Sequence, residues 1–149
     1  MKTLIEKRLE GFSKALKNIP IESFFLKIAE QNKAIIEDKN SEQLDQGVDG
    51  EGSKIEPPYT DFTVSIKKAL GRPFDRVTLE DTGAFRKGIK SQASLSGLEL
   101  SGTEKKTGLL TEKYGEVIGL NKKSIGELNE DLFKPELMEE IKRYLKEKI

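Results

Sequence analysis

The sequence contains no cysteine, no histidine and no tryptophan, and these absences remove several classes of functional site. Without cysteine the chain has no disulfide, no thiolate nucleophile and no cysteine-based zinc site. Without histidine it lacks the side chain that most often serves as a general base or metal ligand near neutral pH. Carboxylates and lysines can catalyse reactions on their own, but these absences favour a protein without a catalytic step.

Long apolar runs and an excess of either charge are also missing. No run is long enough to cross a bilayer, and residues 1–8 lack the apolar core of a signal peptide, which predicts a cytoplasmic origin and no contact with a membrane. The chain has 26 basic and 26 acidic residues, so its net charge exerts no general attraction on nucleic acid. The length predicts a single domain over residues 1–149.

Two amphipathic helices are predicted before residue 40. Apolar residues recur at helical spacing from residue 3 to about residue 18, and Pro20 ends this helix. A second helix is predicted from Ile21 to about Lys39. In both helices the apolar face is interpreted as core packing and the charged face as solvated surface.

Residues 40–58 are rich in glycine, aspartate, serine and proline, which is typical of an extended loop or arm. A loop of this length is uncommon in a compact domain unless it reaches a partner. The segment therefore predicts an arm, ordered by neighbouring molecules, that carries contacts between subunits. The predicted interface residues in and beside this arm are Asp45, Val48, Asp49, Ile55, Pro57, Pro58 and Tyr59.

The central stretch of the chain, residues 76–89, predicts a short strand, a tight turn and a short helical step. Val77 and Leu79 alternate with polar residues, as in a half-buried strand. A turn is predicted after the strand, because Asp81 and Thr82 can accept backbone N–H groups and Gly83 can adopt a positive φ. A helical step is predicted next, because Phe85 and a residue four positions later would share one helical face. The residues predicted to fix the turn are Asp81, Thr82, Gly83 and Phe85.

After the central stretch the pattern predicts a β-hairpin over residues 88–103, with its turn at Ser96-Gly97. A short helix closed by Gly115 follows, and residues 117–120 fit either a short strand or a buried loop. A final helix is predicted from residue 134 onward.

Residues 59–70, before the central stretch, alternate like a strand but also repeat like a helix. We prefer the helix, because Gly71 is well suited to the position just after a helix end. The predicted fold class is α+β, with N-terminal helices, a small antiparallel sheet and a C-terminal helix.

No pattern in the chain indicates a catalytic, cofactor-binding or metal site, and none is predicted. The serines have no histidine to activate them. The closest group of carboxylates, Asp75, Glu80 and Asp81, is interpreted as turn formers and solvated charges. The acidic residues of the 40–58 segment do not match a calcium-binding loop, and its glycines do not match a phosphate-binding loop.

A basic run interleaved with phenylalanines lies between residues 62 and 90, and this composition can contact phosphates. Acidic residues interrupt the run, so nucleic-acid binding is an alternative and not the preferred function. The basic residues predicted to face DNA are Lys67, Lys68, Arg72, Arg76, Arg86 and Lys87.

The segment Asp81-Thr82-Gly83-Ala84-Phe85-Arg86-Lys87-Gly88-Ile89 resembles a Thr-Gly step in the tail-completion, neck and minor tail proteins of tailed phages. In that family an aromatic residue or leucine, an arginine and Ser-Ile follow the Thr-Gly pair. A small antiparallel sheet, a Tyr-Gly or Tyr-Ala element and a C-terminal helix come next. Tyr114-Gly115 and residues 133–149 are similar to the last two features, and the likeness spans residues 57–149. Gly88 departs from the usual serine, and Phe133-Lys134-Pro135 departs from the usual Arg-Pro.

The resemblance implies a structural virion protein of a tailed phage that acts in head-tail joining or tail completion, without enzymatic activity or cofactor. It implies a homo-oligomeric ring, closed by heterologous contacts, that adjoins portal, adaptor or tail-tube proteins. It also implies location in the virion, and in the host cytoplasm during assembly, with some basic side chains near DNA. The alternatives are a small nucleic-acid-binding accessory protein and a generic protein-interaction domain.

Overall fold

The structure, a computed structural model, describes residues 1–148. Its α-helices are α1 (Leu4–Lys17), α2 (Ile21–Gln31), α3 (Lys33–Asp45), α4 (Asp61–Ala69), α5 (Ala84–Lys87), α6 (Thr107–Tyr114), α7 (Lys122–Leu128) and α8 (Lys134–Lys148). Strands β1 (Ile89–Ser94) and β2 (Gly97–Gly102) form an antiparallel sheet, and a π-helical turn (Asn129–Phe133) joins α7 to α8. The predicted α+β class, with N-terminal helices, a small antiparallel sheet and a C-terminal helix, is confirmed.

The second predicted helix is in fact two helices, because Asn32 interrupts it. The Asn32 side chain donates from Nδ2 to the carbonyl oxygen of Ile28 at 2.8 Å, and its backbone N–H donates to Ala29. An asparagine that satisfies the last carbonyls of a helix competes with continuation of that helix. The prediction of one continuous helix from Ile21 to Lys39 is therefore wrong.

Two hydrophobic clusters form the core, and Leu100 of β2 packs against both. The first cluster comprises Leu44, Ile55, Val77, Leu79, Phe85, Ile89 and Val117. The second cluster comprises Ile28, Ala29, Ile36, Leu128, Leu132 and Phe133. The hairpin thus links the helices of the second cluster to the loops of the first.

The predicted arm at residues 40–58 is wrong, because this segment belongs to the body of the protein. Its first six residues complete α3, and Leu44 and Ile55 are fully buried in the first cluster. Between them the chain turns tightly and forms an isolated antiparallel bridge between Val48 and Lys54. The side chain of Asp49 closes this turn by accepting the N–H groups of Glu51 and Ser53, both at 2.9 Å. The turn that Asp49 closes and the buried side chains of Leu44 and Ile55 therefore order this segment, despite its high glycine content.

Two side-chain amides of α3 hold the segment that runs from Val117 to Asn121. Asn40, which is fully buried, donates to the carbonyl of Val117 at 3.0 Å and accepts the N–H of Gly119 at 2.7 Å. Gln43 donates to the carbonyl of Gly119 and accepts the N–H of Asn121, both at 2.8 Å. The segment is therefore a buried loop, and a helix supplies the hydrogen bonds that a neighbouring strand would give.

The central stretch contains no ladder strand. Val77, Thr78 and Leu79 are all buried, although the sequence alternates apolar and polar residues there. A half-buried strand would instead expose the side chain of Thr78. Leu79 also adopts a left-handed φ of 55°, which breaks the extended backbone that a strand needs. The predicted strand is therefore wrong, whereas the predicted one-turn helix follows as α5.

The hairpin and the last helix begin where the sequence predicts. In the sheet Ile89 pairs with Gly102 and Ser94 pairs with Gly97, so the hairpin lies within residues 88–103. α8 starts at Lys134, directly after the π-helical turn. Pro135 lacks an N–H donor and its ring crowds the preceding turn, so we attribute the wide turn to this proline.

Candidate functional site

A pocket of about 330 Å³ lies between α4 and α6, beside the Asp81–Gly83 turn. We call it the α4–α6 pocket. Its apolar lining comes from the two helices, from residues just before and after α4, and from the central stretch: Tyr59, Ile66, Leu70, Leu79, Phe85, Leu110 and Tyr114. Its polar rim carries Arg72, Glu80, Asp81, Glu104 and Lys106. An apolar pocket with a charged rim can bind an apolar group, such as a partner's side chain, and orient it.

α4 forms one wall of the pocket, and both ends of this helix are capped. At the start, Thr60 Oγ1 accepts the N–H of Thr63 at 3.3 Å. At the end, Gly71 has a left-handed φ of 68°, and the N–H of Arg72 donates to the carbonyl of Lys67 at 2.9 Å. This is the Schellman arrangement, in which glycine follows the last helical turn. The predicted helix at residues 59–70, closed by Gly71, is confirmed.

Tyr59 connects the floor of the pocket to the buried central stretch. Its hydroxyl oxygen accepts the N–H groups of Thr78 at 3.0 Å and Leu79 at 3.2 Å. Lys67 lies with its Nζ 4.7 Å from the Tyr59 ring centre and donates to the carbonyl of Glu80 at 2.8 Å. Burial alone would raise the pKa of Tyr59, but the donors from Thr78 and Leu79 and the charge of Lys67 outweigh it. The pKa of this phenol therefore lies below its ordinary value of 10.0.

We expect Tyr59→Phe to lower the free energy of unfolding by roughly 1–3 kcal/mol at neutral pH, because two N–H groups lose their acceptor. Urea denaturation followed by circular dichroism measures this change. Tyr114→Phe is the matched control, since Tyr114 lines the same pocket but, unlike Tyr59, its hydroxyl makes no hydrogen bond within residues 1–148. Equal stabilities of Tyr59→Phe and the wild type would contradict the assigned hydrogen bonds.

The same variant has an expected pH dependence. Between the folded pKa of Tyr59 and its unfolded value, the unfolded chain binds more protons, so stability rises with pH in this window. The stability that the ionised phenol of Tyr59 contributes is complete above the pKa of the unfolded chain, and it is lost as the pH falls through the pKa of the folded protein. The stability difference between wild type and Tyr59→Phe should therefore widen as the pH approaches 10.0, which urea denaturation at a series of pH values measures.

The turn itself forms the rim of the α4–α6 pocket. Thr82 Oγ1 accepts the N–H of Ala84 at 3.2 Å, and Gly83 has a left-handed φ of 87°. A Cβ at Gly83 would approach only the far end of the Lys87 side chain, at 3.7 Å. A larger residue at Gly83 would therefore strain the backbone without a backbone clash.

The other two predicted turn residues differ in exposure. Phe85 is buried in the first cluster and fixes α5 to the core. The carboxylate of Asp81 is exposed and lies 3.8 Å from the side-chain nitrogens of Arg72 and Lys106. Asp81 is thus the most open acidic group that the turn presents to the pocket rim.

The predicted interface residues do not form one surface. Ile55 is fully buried and Tyr59 is half-buried at the pocket floor, while Asp49 closes its own turn. An interface role for Ile55 is wrong, because its side chain lies in the core of the same molecule. The remaining predicted interface residues, which keep partial or full exposure, are Asp45, Val48, Pro57 and Pro58.

The predicted DNA-facing residues are also divided. Lys67 is buried against Tyr59, and Arg86 lies 2.7 Å from the carboxylate of Asp45 and donates to the carbonyl of Ser41 at 2.8 Å. The Arg86 side chain is only 11% exposed. A DNA-facing role is wrong for Lys67 and Arg86, because contacts within the chain use both cations. The other predicted residues, which keep partial or full exposure, are Lys68, Arg72, Arg76 and Lys87.

Sequence reasoning missed the surface of α1. The sequence predicts that the apolar face of α1 packs in the core, but Leu4, Ile5 and Leu9 are 65%, 70% and 62% exposed. The interpretation is wrong because α1 contributes only Ala15 to the buried residues. No local signal was available, since an amphipathic helix has the same apolar face whether it packs on its own core or stays exposed. Sequence reasoning also missed the α4–α6 pocket, because its walls come from segments distant in sequence.

Within residues 1–148 no helix is long and apolar enough to cross a bilayer. No group of three or more acidic residues in the same range is arranged to hold a metal ion. Comparisons of the chain with protein-family models, with curated proteins and with solved structures found no match.

Proposed function

We propose that this protein is a structural virion component of a tailed phage that acts in head-tail joining or tail completion. The carrying observation is the order of elements around the Thr82-Gly83 step. N-terminal helices precede this turn, and a hairpin, the Tyr114-Gly115 element and a long final helix follow it. This order is that of the family that the sequence resembles, and the function rests on that analogy.

The surfaces of the molecule support an assembly role. α1 and α4 expose large apolar side chains, and a soluble monomer rarely exposes contiguous apolar patches beyond a few hundred Å². The α4–α6 pocket has an apolar lining and a charged rim, which suits the docking of an apolar side chain of a partner. Proteins that form rings need two different surfaces that contact each other in neighbouring copies.

The nucleic-acid alternative gains no support from the basic run. Lys67 and Arg86 are engaged within the chain, and Arg76 pairs with Asp75 at 2.7 Å. A positive surface that tracks a phosphate backbone requires free cations side by side.

The composition of purified phage particles tests the proposal. We expect the chain in particles of the phage that encodes it, at a small and fixed copy number set by the symmetry of the neck. Quantitative mass spectrometry of purified particles measures this number, with the portal protein as the internal reference. Absence from particles would overturn the proposal, as would hydrolytic turnover that a single carboxylate substitution abolishes.

A further inference from the structure

The two edges of the hairpin differ in how they are covered. At the outer edge of β1, the N–H of Ser91 donates to Glu37 Oε1 of α3 at 2.8 Å, and Ser91 is buried. A helix therefore protects this edge. Beside β2 no third strand lies within residues 1–148, because the sheet has only the order β1-β2. The outer edge of β2 is therefore the one to which a further strand can be added.

The register of the hairpin identifies which backbone groups of β2 point outward. In an antiparallel pair, opposed residues that exchange hydrogen bonds alternate with opposed residues that do not. Thr103 donates its N–H to the carbonyl of Gly88 at 2.9 Å, which fixes this alternation along the ladder. Ser91, whose N–H binds α3 instead of β2, accordingly faces Leu100 in an unbonded pair. The N–H and C=O groups of Leu98 and Leu100 consequently point away from β1.

These outward groups of β2 form an unpaired row. Within residues 1–148, no hydrogen bond outside the hairpin reaches the N–H or C=O of Leu98 or Leu100. Both residues are only partly buried. A row of unpaired N–H and C=O groups on an edge strand is a template for another strand. The ligand that matches two donors and two acceptors at this spacing is an extended polypeptide backbone.

An apolar cavity of about 510 Å³ accompanies this edge from Leu98 to Leu100. We call Leu98, Glu99 and Leu100 the β2 edge, and the space beside it the β2 cavity. Its other walls include apolar side chains of α2, of α7 and of the π-helical turn: Phe25, Ile125, Leu128 and Phe133. Pockets that bind ligands typically measure about 300–1,000 Å³. A chain that pairs with the β2 edge therefore also meets an apolar space of sufficient size.

The alternation of side chains determines the sequence that a docked strand must have. Residues directly opposite each other in a sheet place their side chains on the same face. Leu98 and Leu100 pack against the second cluster, so residues opposite them are directed toward the β2 cavity. Glu99 is exposed and lies on the other face. A docked strand therefore presents two apolar residues opposite the leucines, with one residue between them beside Glu99.

The charge of Glu99 specifies that middle residue. Among the described residues that line the β2 cavity, Glu99 is the only one with a charged side chain. A lysine or arginine opposite it gains a cross-strand ion pair, whereas an acidic residue is repelled. The three positions therefore favour the order apolar, basic, apolar.

We propose that the β2 edge binds an extended segment of a partner protein with this order of residues. The segment becomes the third strand of the sheet: its backbone pairs with Leu98 and Leu100, and its apolar side chains enter the β2 cavity. Its basic side chain pairs with Glu99. In strand addition of this kind, main-chain hydrogen bonds give affinity and pockets for alternate side chains give specificity. The inference goes beyond the proposed function and does not depend on it, because it rests on the unpaired edge and its cavity.

The β2 edge of a second copy is a poorer occupant than a separate segment. Its leucines already pack against the core of their own molecule, so they cannot fill the cavity of the other copy. Symmetric antiparallel pairing centred on Glu99 would also oppose two carboxylates on one face. Like charges directly opposite each other destabilise a sheet.

Titration of the ¹⁵N-labelled chain with a synthetic peptide tests the inference by NMR. The probe is Ser-Thr-Val-Lys-Val-Thr-Ser, acetylated and amidated at its ends, whose centre has the required order. In the free chain the amides of Leu98 and Leu100 should exchange rapidly with solvent, whereas the amide of Glu99, which is bonded to β1, should be protected. We expect the saturating probe to slow exchange at Leu98 and Leu100 at least about fivefold. Amide resonances around the β2 cavity should shift with it.

Matched probes and variants separate the contributions of the side chains. Alanine in place of both valines should weaken binding at least about tenfold, because the β2 cavity loses its apolar occupants. Glutamate in place of the lysine should weaken binding at least about threefold, and Glu99→Lys should reverse this preference. Glu99 is exposed, so this variant should keep the fold. Glu112→Lys is the control, because Glu112 is exposed on α6 outside the cavity and should leave the preference unchanged.

Several results would overturn the inference. Slow exchange of Leu98 and Leu100 in the free chain at every dilution would show that the edge is already covered. Protection that appears only at high chain concentration would assign the edge to a second copy. Equal binding of the valine and alanine probes, a charge preference that Glu99→Lys leaves unchanged, or no binding at millimolar probe would also contradict it. None of these results bears on the presence of the chain in phage particles, so the proposed function stands or falls separately.

Discussion

Asn40→Ala is expected to lower the free energy of unfolding by roughly 2–4 kcal/mol, because it leaves one buried and one partly buried backbone group without a partner. These are the carbonyl of Val117 and the N–H of Gly119, which Asn40 binds at 3.0 and 2.7 Å. A domain is typically stable by about 5–15 kcal/mol, so this loss is a large share of the total. Urea denaturation followed by circular dichroism measures the change.

Asn129→Ala is the control for Asn40→Ala, since Asn129 is an exposed asparagine in a helical turn and should change stability by less than about 0.5 kcal/mol. Asn40→Asp separates hydrogen bonding from packing, because it keeps the shape but opposes the Val117 carbonyl with a second oxygen. A stability of Asn40→Asp equal to that of the wild type at pH 7 would contradict the assigned bonds.

Phe85→Ala is expected to lower the free energy of unfolding by about 3–5 kcal/mol, because it leaves a cavity where a buried aromatic ring joined α5 to the first cluster. Phe85 also lines the α4–α6 pocket, so the loss of its ring widens that pocket. Thermal and urea denaturation measure the loss of stability.

Phe62→Ala is the matched control for Phe85→Ala, because Phe62 is 75% exposed on α4. This substitution should change the free energy of unfolding by less than about 0.5 kcal/mol. A normal melting temperature for Phe85→Ala would show that the central stretch does not anchor the core.

The sequence predicted those elements whose local signals and tertiary packing agree. The helix at α4 has a threonine cap and a left-handed glycine, Gly71, and the hairpin has a turn signal at Ser96-Gly97. α8 begins beside Pro135, as the position of that proline in a first turn predicts. In each case a residue with a strong backbone preference marks the boundary, so neighbouring segments are not needed to define it.

The predictions from sequence were wrong where side chains contact segments that are distant in the chain. Residues 40–58 have the composition of a loop, yet Ile55 fixes them to the first cluster. A prediction from composition gives little weight to a single apolar residue. Val77 and Leu79 alternate as in a strand, but Tyr59 replaces the partner strand as acceptor. A hydrogen bond from the backbone to a distant side chain leaves no periodic pattern in the sequence, because the two residues lie far apart in the chain.

The candidate site was predictable only in part. The turn residues Asp81, Thr82, Gly83 and Phe85 lie at the pocket, as a local motif should. The opposite wall comes from α6, which no local pattern connects to α4. The exposure of α1 is likewise a property of the whole molecule, because an amphipathic helix has the same sequence pattern whether or not a partner covers it.

The bonds that Asn40 and Gln43 make to the loop from Val117 to Asn121 also set an order of events during synthesis. Each of them joins residues between 76 and 79 positions apart. At a translation rate of about 5–20 residues per second, α3 waits roughly 4–15 s for its partners to be made. Throughout that interval its buried amides and apolar residues face solvent or the ribosome surface. A nascent chain stalled before residue 117 would therefore leave the amides of Asn40 and Gln43 without these partners.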